Sequence, residues 1–373
     1  MTSRERMRAA IAGEACDRLP WVPELNSAFV QRVLAGDDVP PERQYVEACR
    51  RVGGDCLLSV SPATQELRGV EVLQETRGTT TLIRWRTPVG ELYSRTETRA
   101  SAETTFAVEH LIKRVEDVRV YRWVIEHAEV RPSGPAEDPF APVRHADAVV
   151  GDDGILSLTG PATPIMQLLM TDLRAPTMHY LLADHEAEVV ALFEAMHAQN
   201  RKVYQILAEA PGELVRPFED TSTTLLSPAM YRRYCQPYLR EYGDIVRARG
   251  KRFVPHLCGL LRHVLTDLRD TAIDGIEALT PPDTGDTPLG LARQVLGERS
   301  VLIGGLDPAW FCHLGPEQMR DRVREVVATL GDGRFTLLGN EEISARANLE
   351  TVRAVPRTLA EIGPVPLTEQ RGR

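Results

Sequence analysis

Residues 214–259 read LVRPFEDTSTTLLSPAMYRRYCQPYLREYGDIVRARGKRFVPHLCG. Leu214 to Phe218 is a short apolar run of strand length. Ser227 followed by Pro228 is a helix start, with an N-cap hydroxyl and a proline where no amide is needed. The helical pattern stops at Gly250, and Arg252 to Pro255 begins a second short strand. A strand, a helix and a strand in this order form a unit whose two strands run parallel.

Working outward, the same alternation repeats. Ile155 to Thr159 precedes a helix beginning near Pro164, and His185 to Ala210 is a long helix ended by Pro211-Gly212. Gly275 to Leu279, Val301 to Gly305 and Phe335 to Gly339 read as further strands, with Pro316 to Leu330 helical and closed by Gly331. Upstream, Arg18 to Pro23 and Asp55 to Val60 complete eight strands. Ser3 to Gly13 is an opening helix with Ser3 as its N-cap, and Pro40 to Val52 is helical up to Gly53-Gly54. Eight short apolar strands alternating with helices predict a (β/α)8 TIM barrel in a single domain over 1–373. A doubly wound open sheet is the competing arrangement. From Gly69 to Arg99 the pattern is instead rich in Thr, Val and aromatics, broken at Arg77-Gly78 and Pro88-Val89-Gly90. This predicts an antiparallel β-hairpin or meander as an excursion from the barrel. Residues 130–150, rich in Pro and Asp, read as a surface connection.

The net charge of −9 opposes nucleic-acid binding, which needs a basic field. No signal peptide or membrane-length apolar run is present, so a cytoplasmic chain with no membrane association is expected. Cys16, Cys49, Cys56, Cys235, Cys258 and Cys312 lack disulfide-scaffold density and read as free thiols, available to hold a metal. No glycine-rich dinucleotide or triphosphate fingerprint occurs.

In a barrel of this kind the reactive groups follow the C-terminal strand ends. Those positions carry Glu24 and Asn26; Glu219-Asp220-Thr221; His256-Leu257-Cys258-Gly259; Asp307; and Asn340-Glu341-Glu342. In extended backbone, residues two apart share a side, so His256 and Cys258 can reach one ion, and zinc accepts such an N/S pair. The plainer alternative is a buried cysteine beside a histidine bonded to a carbonyl. A third ligand must come from another strand end; Glu341 is the first choice and Glu342 the alternative. Glu219 and Asp220 are candidates for acid–base catalysis, or else cap the Thr221-Ser222-Thr223-Thr224 loop. Glu24, Asn26 and Asp307 are candidate substrate contacts.

Several stretches resemble the uroporphyrinogen decarboxylase superfamily: RERMRAAIAGEACDRLP (Arg4 to Pro20), TPVGELY (Thr87 to Tyr93), SLTGPATPIMQLL (Ser157 to Leu169), FEDTSTTLLSPAMYRRYCQPYLREY (Phe218 to Tyr242), FVPHLCG (Phe253 to Gly259) and IGGLDP (Ile303 to Pro308). That superfamily includes the methylcobalamin:coenzyme M and related corrinoid-dependent methyltransferases. Its decarboxylases carry an arginine-rich stretch where this chain reads WVPELNSAFV (Trp21 to Val30). Without that clamp an acidic tetrapyrrole would lack the charged partners its carboxylates need. The zinc methyltransferase branch carries His-x-Cys, matched by His256 and Cys258, and a later cysteine that falls on Glu341. The resemblance therefore implies a methyltransferase with zinc held by His256, Cys258 and Glu341. It further implies methylcobalamin on a corrinoid protein as donor, a small-molecule thiol as acceptor, and a homodimer. Two other readings are a metal-free decarboxylase or lyase, with Arg18 and Arg346 as the nearest anion contacts, and a non-catalytic corrinoid- or metal-binding accessory protein.

Overall fold

The computed structural model describes residues 1–99, 104–330 and 334–364. Its centre is built from parallel strands β1 (Trp21–Val22), β2 (Cys56–Val60), β3 (Gly154–Leu158), β4 (Leu214–Val215), β5 (Arg252–Phe253), β6 (Gly275–Leu279), β7 (Val301–Leu306) and β8 (Thr336–Asn340). They pair in two runs, β1-β8-β7-β6 and β5-β4-β3-β2. Beyond its two regular residues β5 continues alongside β6: Leu257 N–H donates to Glu277 O, and Glu277 N–H to Pro255 O, both at 2.9 Å. At the other junction Asp55 N–H donates to Trp21 O at 2.7 Å, just before β2. Each strand thus neighbours the next in sequence, and β1 lies beside both β8 and β2. An open doubly wound sheet would reverse its strand order part-way, and this order does not.

The composition of the strands explains their burial. Every residue of β3, β6 and β7 is buried, as expected of parallel strands covered on both faces. On one side Met7, Ala10 and Ile11 of the Ser3–Ala12 helix form a cluster with Val22, Leu57, Ile155, Leu214, Val254, Val301, Ile303 and Leu337. These residues come from every strand except β6, so they lie on the face the strands share. The helix is closed by a reciprocal capping box between Thr2 and Glu5, which places the N-cap one residue before the expected Ser3. The larger core lies between the strands and the surrounding helices.

Two residues along several strands the shared face changes from apolar to polar. Val22 leads to Glu24, Leu57 to Ser59, Ile155 to Ser157, Leu214 to Arg216 and Val254 to His256. The period of two keeps all of these side chains on the same side.

The excursion is a four-stranded antiparallel sheet of Glu71–Arg77, Thr80–Thr87, Gly90–Arg99 and Thr104–Glu109. It runs past the expected limit at Arg99 by one strand. The stretch expected to be a plain connection contains a strand, Glu129–Pro132, paired with Ala63–Glu66, and a helix, Ala141–Val150. Its prolines mislead: Pro142 occupies the first helical turn, where a missing amide costs nothing. Among the described residues no helix is long and apolar enough to cross a membrane.

Candidate active site

The Asp220–Thr224 and Cys258–Leu260 loops follow β4 and β5 and are bonded together. Thr223 N–H donates to Leu260 O, and Leu260 N–H to Ser222 Oγ, each at 3.0 Å. Gly259 permits this approach. A Cβ there would lie 2.3 Å from Ser222 Cβ and 2.7 Å from Thr221 O. Asp220 adopts φ 51°, a left-handed conformation that aspartate tolerates better than most residues. Its N–H donates to His256 O at 2.9 Å. The result is a group of Asp220, His256 and Cys258 whose ligand atoms all lie within 4.8 Å of one another. The Cys258 thiol donates to Asp220 Oδ1 at 2.5 Å.

His256 is fixed from both sides. Nδ1 lies 2.6 Å from Glu277 Oε2, and Nε2 lies 3.3 Å from Glu341 Oε1. The ring also packs against Phe218 at a tilt of 36°, with centroids 4.7 Å apart. Glu277 is buried on β6 and pairs with Arg216 Nη1 at 3.0 Å. Burial alone would raise its pKa, but Arg216 and then His256 outweigh burial and hold it below the usual carboxylate value. An ionised Glu277 can only accept. Nδ1 therefore carries the proton it donates, and Nε2 faces the cluster; burial would lower the imidazole pKa, but Glu277 and then Glu341 outweigh burial and raise it. Arg216 itself is buried, with Nε donating to Ser157 Oγ at 3.1 Å, Nη2 to Ser59 Oγ at 2.6 Å, and Glu24 Oε2 at 3.6 Å from Nη1.

The cluster is electrostatically anionic. Burial, then the charges of Glu341 and Asp220, push the Cys258 thiol well above its ordinary pKa. Burial raises Glu341 to about 7, opposed by His256. Glu24 is also raised by burial, with Arg216 opposing.

Of the residues read from sequence, His256, Cys258 and Asp220 converge, with Glu341 at the imidazole. Asp220, read from sequence as an acid–base candidate, thus sits among the metal-competent groups. Three other candidate residues are hydrogen-bonded to their own loops. Glu219 is buried and takes Thr163 N–H and Thr163 Oγ1–H, both at 2.7 Å, with Thr221 Oγ1 at 3.2 Å. Its carboxylate ties these loops together, and burial lifts its pKa to about 7. Asp307 is buried and takes Thr284 N–H, Thr284 Oγ1–H and Ala309 N–H at 2.8–2.9 Å, tying the loops after β6 and β7. Asn26 caps the Ser27–Val33 helix through Ala28 N–H and donates to Glu342 Oε1 at 2.6 Å. That bond also turns the exposed Glu342 toward Asn26, leaving Glu341 as the carboxylate at His256. Glu24 borders the site, with Oε2 3.6 Å from Arg216 Nη1. Arg18 pairs with Asp55 before β2, at the opposite strand ends. The residues missed are Glu277, Arg216, Ser59 and Ser157. Their signal was a charged or hydroxyl residue inside strands otherwise read as apolar filler.

A family model for uroporphyrinogen decarboxylase (URO-D) matches residues 155–361, more than half of the chain. The chain belongs to the URO-D family. Over 135 residues this URO-D chain is 31% identical to a uroporphyrinogen decarboxylase from Myxococcus xanthus, covering 35% of its own length and 36% of the relative. Over 112 residues it is 30% identical to one from Dictyostelium discoideum, covering 30% of each. It therefore spans about a third of the length of these curated relatives. Among solved structures a methyltransferase from Methanosarcina mazei superposes with TM-score 0.61 at 14% identity, over 97% of this chain and 99% of that one. That likeness concerns the fold.

Proposed function

We propose that this URO-D family chain is a zinc-dependent methyltransferase on a closed (β/α)8 barrel, moving a methyl group from a methylcorrinoid, carried by a partner protein, to a small-molecule thiol. The observation that carries the reading is the convergence of Asp220, His256 and Cys258 within 4.8 Å, with Glu277 behind the imidazole. A carboxylate on the second nitrogen of a histidine is the usual support of a metal ligand. The donor set supports zinc in particular. Nitrogen and sulfur with carboxylate oxygen suit that ion, whereas magnesium and calcium take oxygen alone.

His256, Cys258 and Asp220 would hold the ion, with Glu341 close enough to join or replace Asp220. Bound there, zinc would supply a Lewis-acidic position that makes a thiol acidic near neutral pH. The protein's own residues do the rest. Glu277 keeps the Nδ1 proton in place, which would leave Nε2 to the ion. Arg216 fixes Glu277 through one nitrogen while Ser59 and Ser157 hold the others. Glu341 faces the cluster with a carboxyl that can carry a proton near neutral pH. The Phe218 ring covers His256 and keeps water from that side.

The curated relatives' names favour the alternative of decarboxylation. Against it stands the charge of the site: a polycarboxylate substrate would meet Asp220, Glu341 and Glu24, with Arg216 buried beneath them. The test joins elemental analysis to a methyl-transfer assay with methylcobalamin and several thiols. Stoichiometric zinc, and a loss of transfer of at least a hundredfold in Cys258→Ala, are expected; a zinc-free protein with unchanged turnover in that variant ends the proposal.

A further inference from the structure

We infer that the chain holds a second binding site, for a small neutral carboxamide, in a cavity between the Ala175–Glu209 helix and the loops that follow β2 and β3. The inference does not depend on the metal group or on methyl transfer. The cavity has a volume of about 260 Å³. That is smaller than the roughly 300–1,000 Å³ of drug-sized sites and far more than the roughly 10–15 Å³ a single water needs. It suits a molecule the size of one substituted ring. Residues 61, 63–65 and 159–161 form one side, and Gln167, Gln199, Asn200 and Val203 the other. Ser61 and Gln65 are exposed, whereas Gln199 and Asn200 are buried at 7% and 5% exposure, so the polar floor lies away from solvent. Ser61 and Thr159 come two residues after Ser59 and Ser157, the serines bonded to Arg216. The cavity is thus at the same strand ends as the metal-competent group, on different strands.

The lining decides the ligand's class. None of the residues that line the cavity is charged, and its polar side chains are amides and hydroxyls. A charged ligand would leave water with no opposite charge to receive it, and a purely apolar one would cover the amides without bonding them. Two of the amides are already fixed. Gln199 Nε2 donates to Ile125 O at 2.9 Å, and Asn200 Nδ2 to Ala162 O at 3.0 Å. Lys202 Nζ donates to Gln199 Oε1 at 3.1 Å and occupies that oxygen without lining the cavity. Gln167 differs. Its side chain lines the cavity, yet its Oε1 is buried and takes no hydrogen bond among the described residues. An unsatisfied buried acceptor is unfavourable, and turning this amide into the cavity breaks no bond of that oxygen. A glutamine amide offers one carbonyl acceptor and two N–H donors side by side. Its complement is a second carboxamide, which donates N–H to Oε1 and accepts Nε2–H on its own carbonyl oxygen. An alcohol, an ether or a ketone makes at most one bond where the carboxamide makes two.

The test uses three probes built on one ring: nicotinamide, nicotinate and N,N-dimethylnicotinamide. The first is a neutral carboxamide with both donors, the second an anion of the same outline, the third a neutral amide with no donor. Each is titrated into the metal-free full chain and followed by ligand-observed NMR. Nicotinamide should bind saturably, and the other two should bind weaker by on the order of tenfold. Gln167→Leu keeps the bulk of the side chain and removes its bonds. Nicotinamide affinity should fall about tenfold in that variant, while its urea midpoint equals or exceeds the parent's because a buried acceptor without a partner has been removed. Val203→Phe fills the cavity from the helix side and should abolish binding; it reads the same site should Gln167→Leu fold poorly. The carboxamide site is overturned if nicotinamide does not saturate, if nicotinate or the dimethyl amide binds as tightly, or if both variants bind nicotinamide like the parent. Each of these outcomes leaves the methyl-transfer reading where it stood, since no metal or methyl donor enters the experiment.

Discussion

Glu277 is buried, yet the position of the His256 ring depends on it. The bond of 2.6 Å to Nδ1 fixes which nitrogen is protonated and the plane in which the other points. Glu277→Gln keeps the shape and removes the charge, so Arg216 loses its closest carboxylate and the imidazole its charged anchor. Support residues of this kind are worth about 10–100-fold in metal affinity. Competition with a chromophoric chelator should give a zinc affinity lower by that factor, with the circular dichroism spectrum retained; unchanged affinity in a folded variant would separate Glu277 from the metal group. Glu219 offers a contrast at the same scale. Its folded pKa of about 7 lies above the ordinary 4.5 because burial disfavours the anion. Between those values the folded chain binds a proton that the unfolded chain has released, so the contribution of Glu219 lowers stability as pH rises through that window. Glu219→Gln removes this share, up to ~3 kcal/mol. Urea midpoints of the metal-free chain at pH 5 and pH 8 should lie closer together in the variant than in the parent.

At the scale of elements, the site is made by two loops held face to face, and Gly259 is the point of contact. In Gly259→Ala the new Cβ would collide with Ser222 and the Thr221 carbonyl, and neither can yield without parting Asp220 from Cys258. A destabilisation of about 1–3 kcal/mol and a weakened zinc affinity are expected together; an alanine variant with the parent's zinc affinity would mean the loops are not coupled. Much of this level was legible in the sequence. The eight strands stood out as apolar runs between Gly and Pro. His256 and Cys258 stood out because extended spacing put them on one side. What was not legible follows from treating strand interiors as filler. Leu214 to Phe218 and Gly275 to Leu279 read as buried strands, but Arg216 and Glu277 inside them had to be placed by alternation and register: Arg216 lies two residues beyond Leu214 of the shared face, Glu277 pairs in register with Ile303 of that face, and a charge there needs a partner on a neighbouring strand. Glu219, Asp307 and Asn26 show the converse, polar residues after strand ends that bond to their own loops. A polar residue after a strand end is as useful for tying a loop as for binding a ligand, and only the bonding partners distinguish the two. The fourth antiparallel strand, Thr104–Glu109, and the Ala141–Val150 helix escaped because polar alternation and early prolines carry little periodic signal.

At the scale of the whole molecule the two ends of the parallel strands do different work. The N-terminal ends meet the Ser3–Ala12 helix, whose Met7 is wholly buried among strand residues, and nearby Arg6 and Arg18 both pair with the buried Asp55. The C-terminal ends carry Asp220, His256, Cys258 and Glu341. Between them lie the apolar layer and then the Arg216 layer, so a change at one end reaches the other only through packed side chains. This separation of a stabilising end from a reactive end is general for barrels of parallel strands and gives a test of the arrangement. Met7→Ala removes buried volume with no polar consequence and should cost about 2–4 kcal/mol, read as a lower urea midpoint with an unchanged denaturant slope. Zinc affinity in the same variant should match the parent, because the residues that hold His256 and Cys258 in place are not among those Met7 packs against. Glu277→Gln should give the reverse pairing, with a large change in zinc affinity and a smaller one in the midpoint of the metal-free chain. If Met7→Ala weakened zinc as much as Glu277→Gln does, the interior would be transmitting strain along the strands, and the division between the two ends would have to be abandoned.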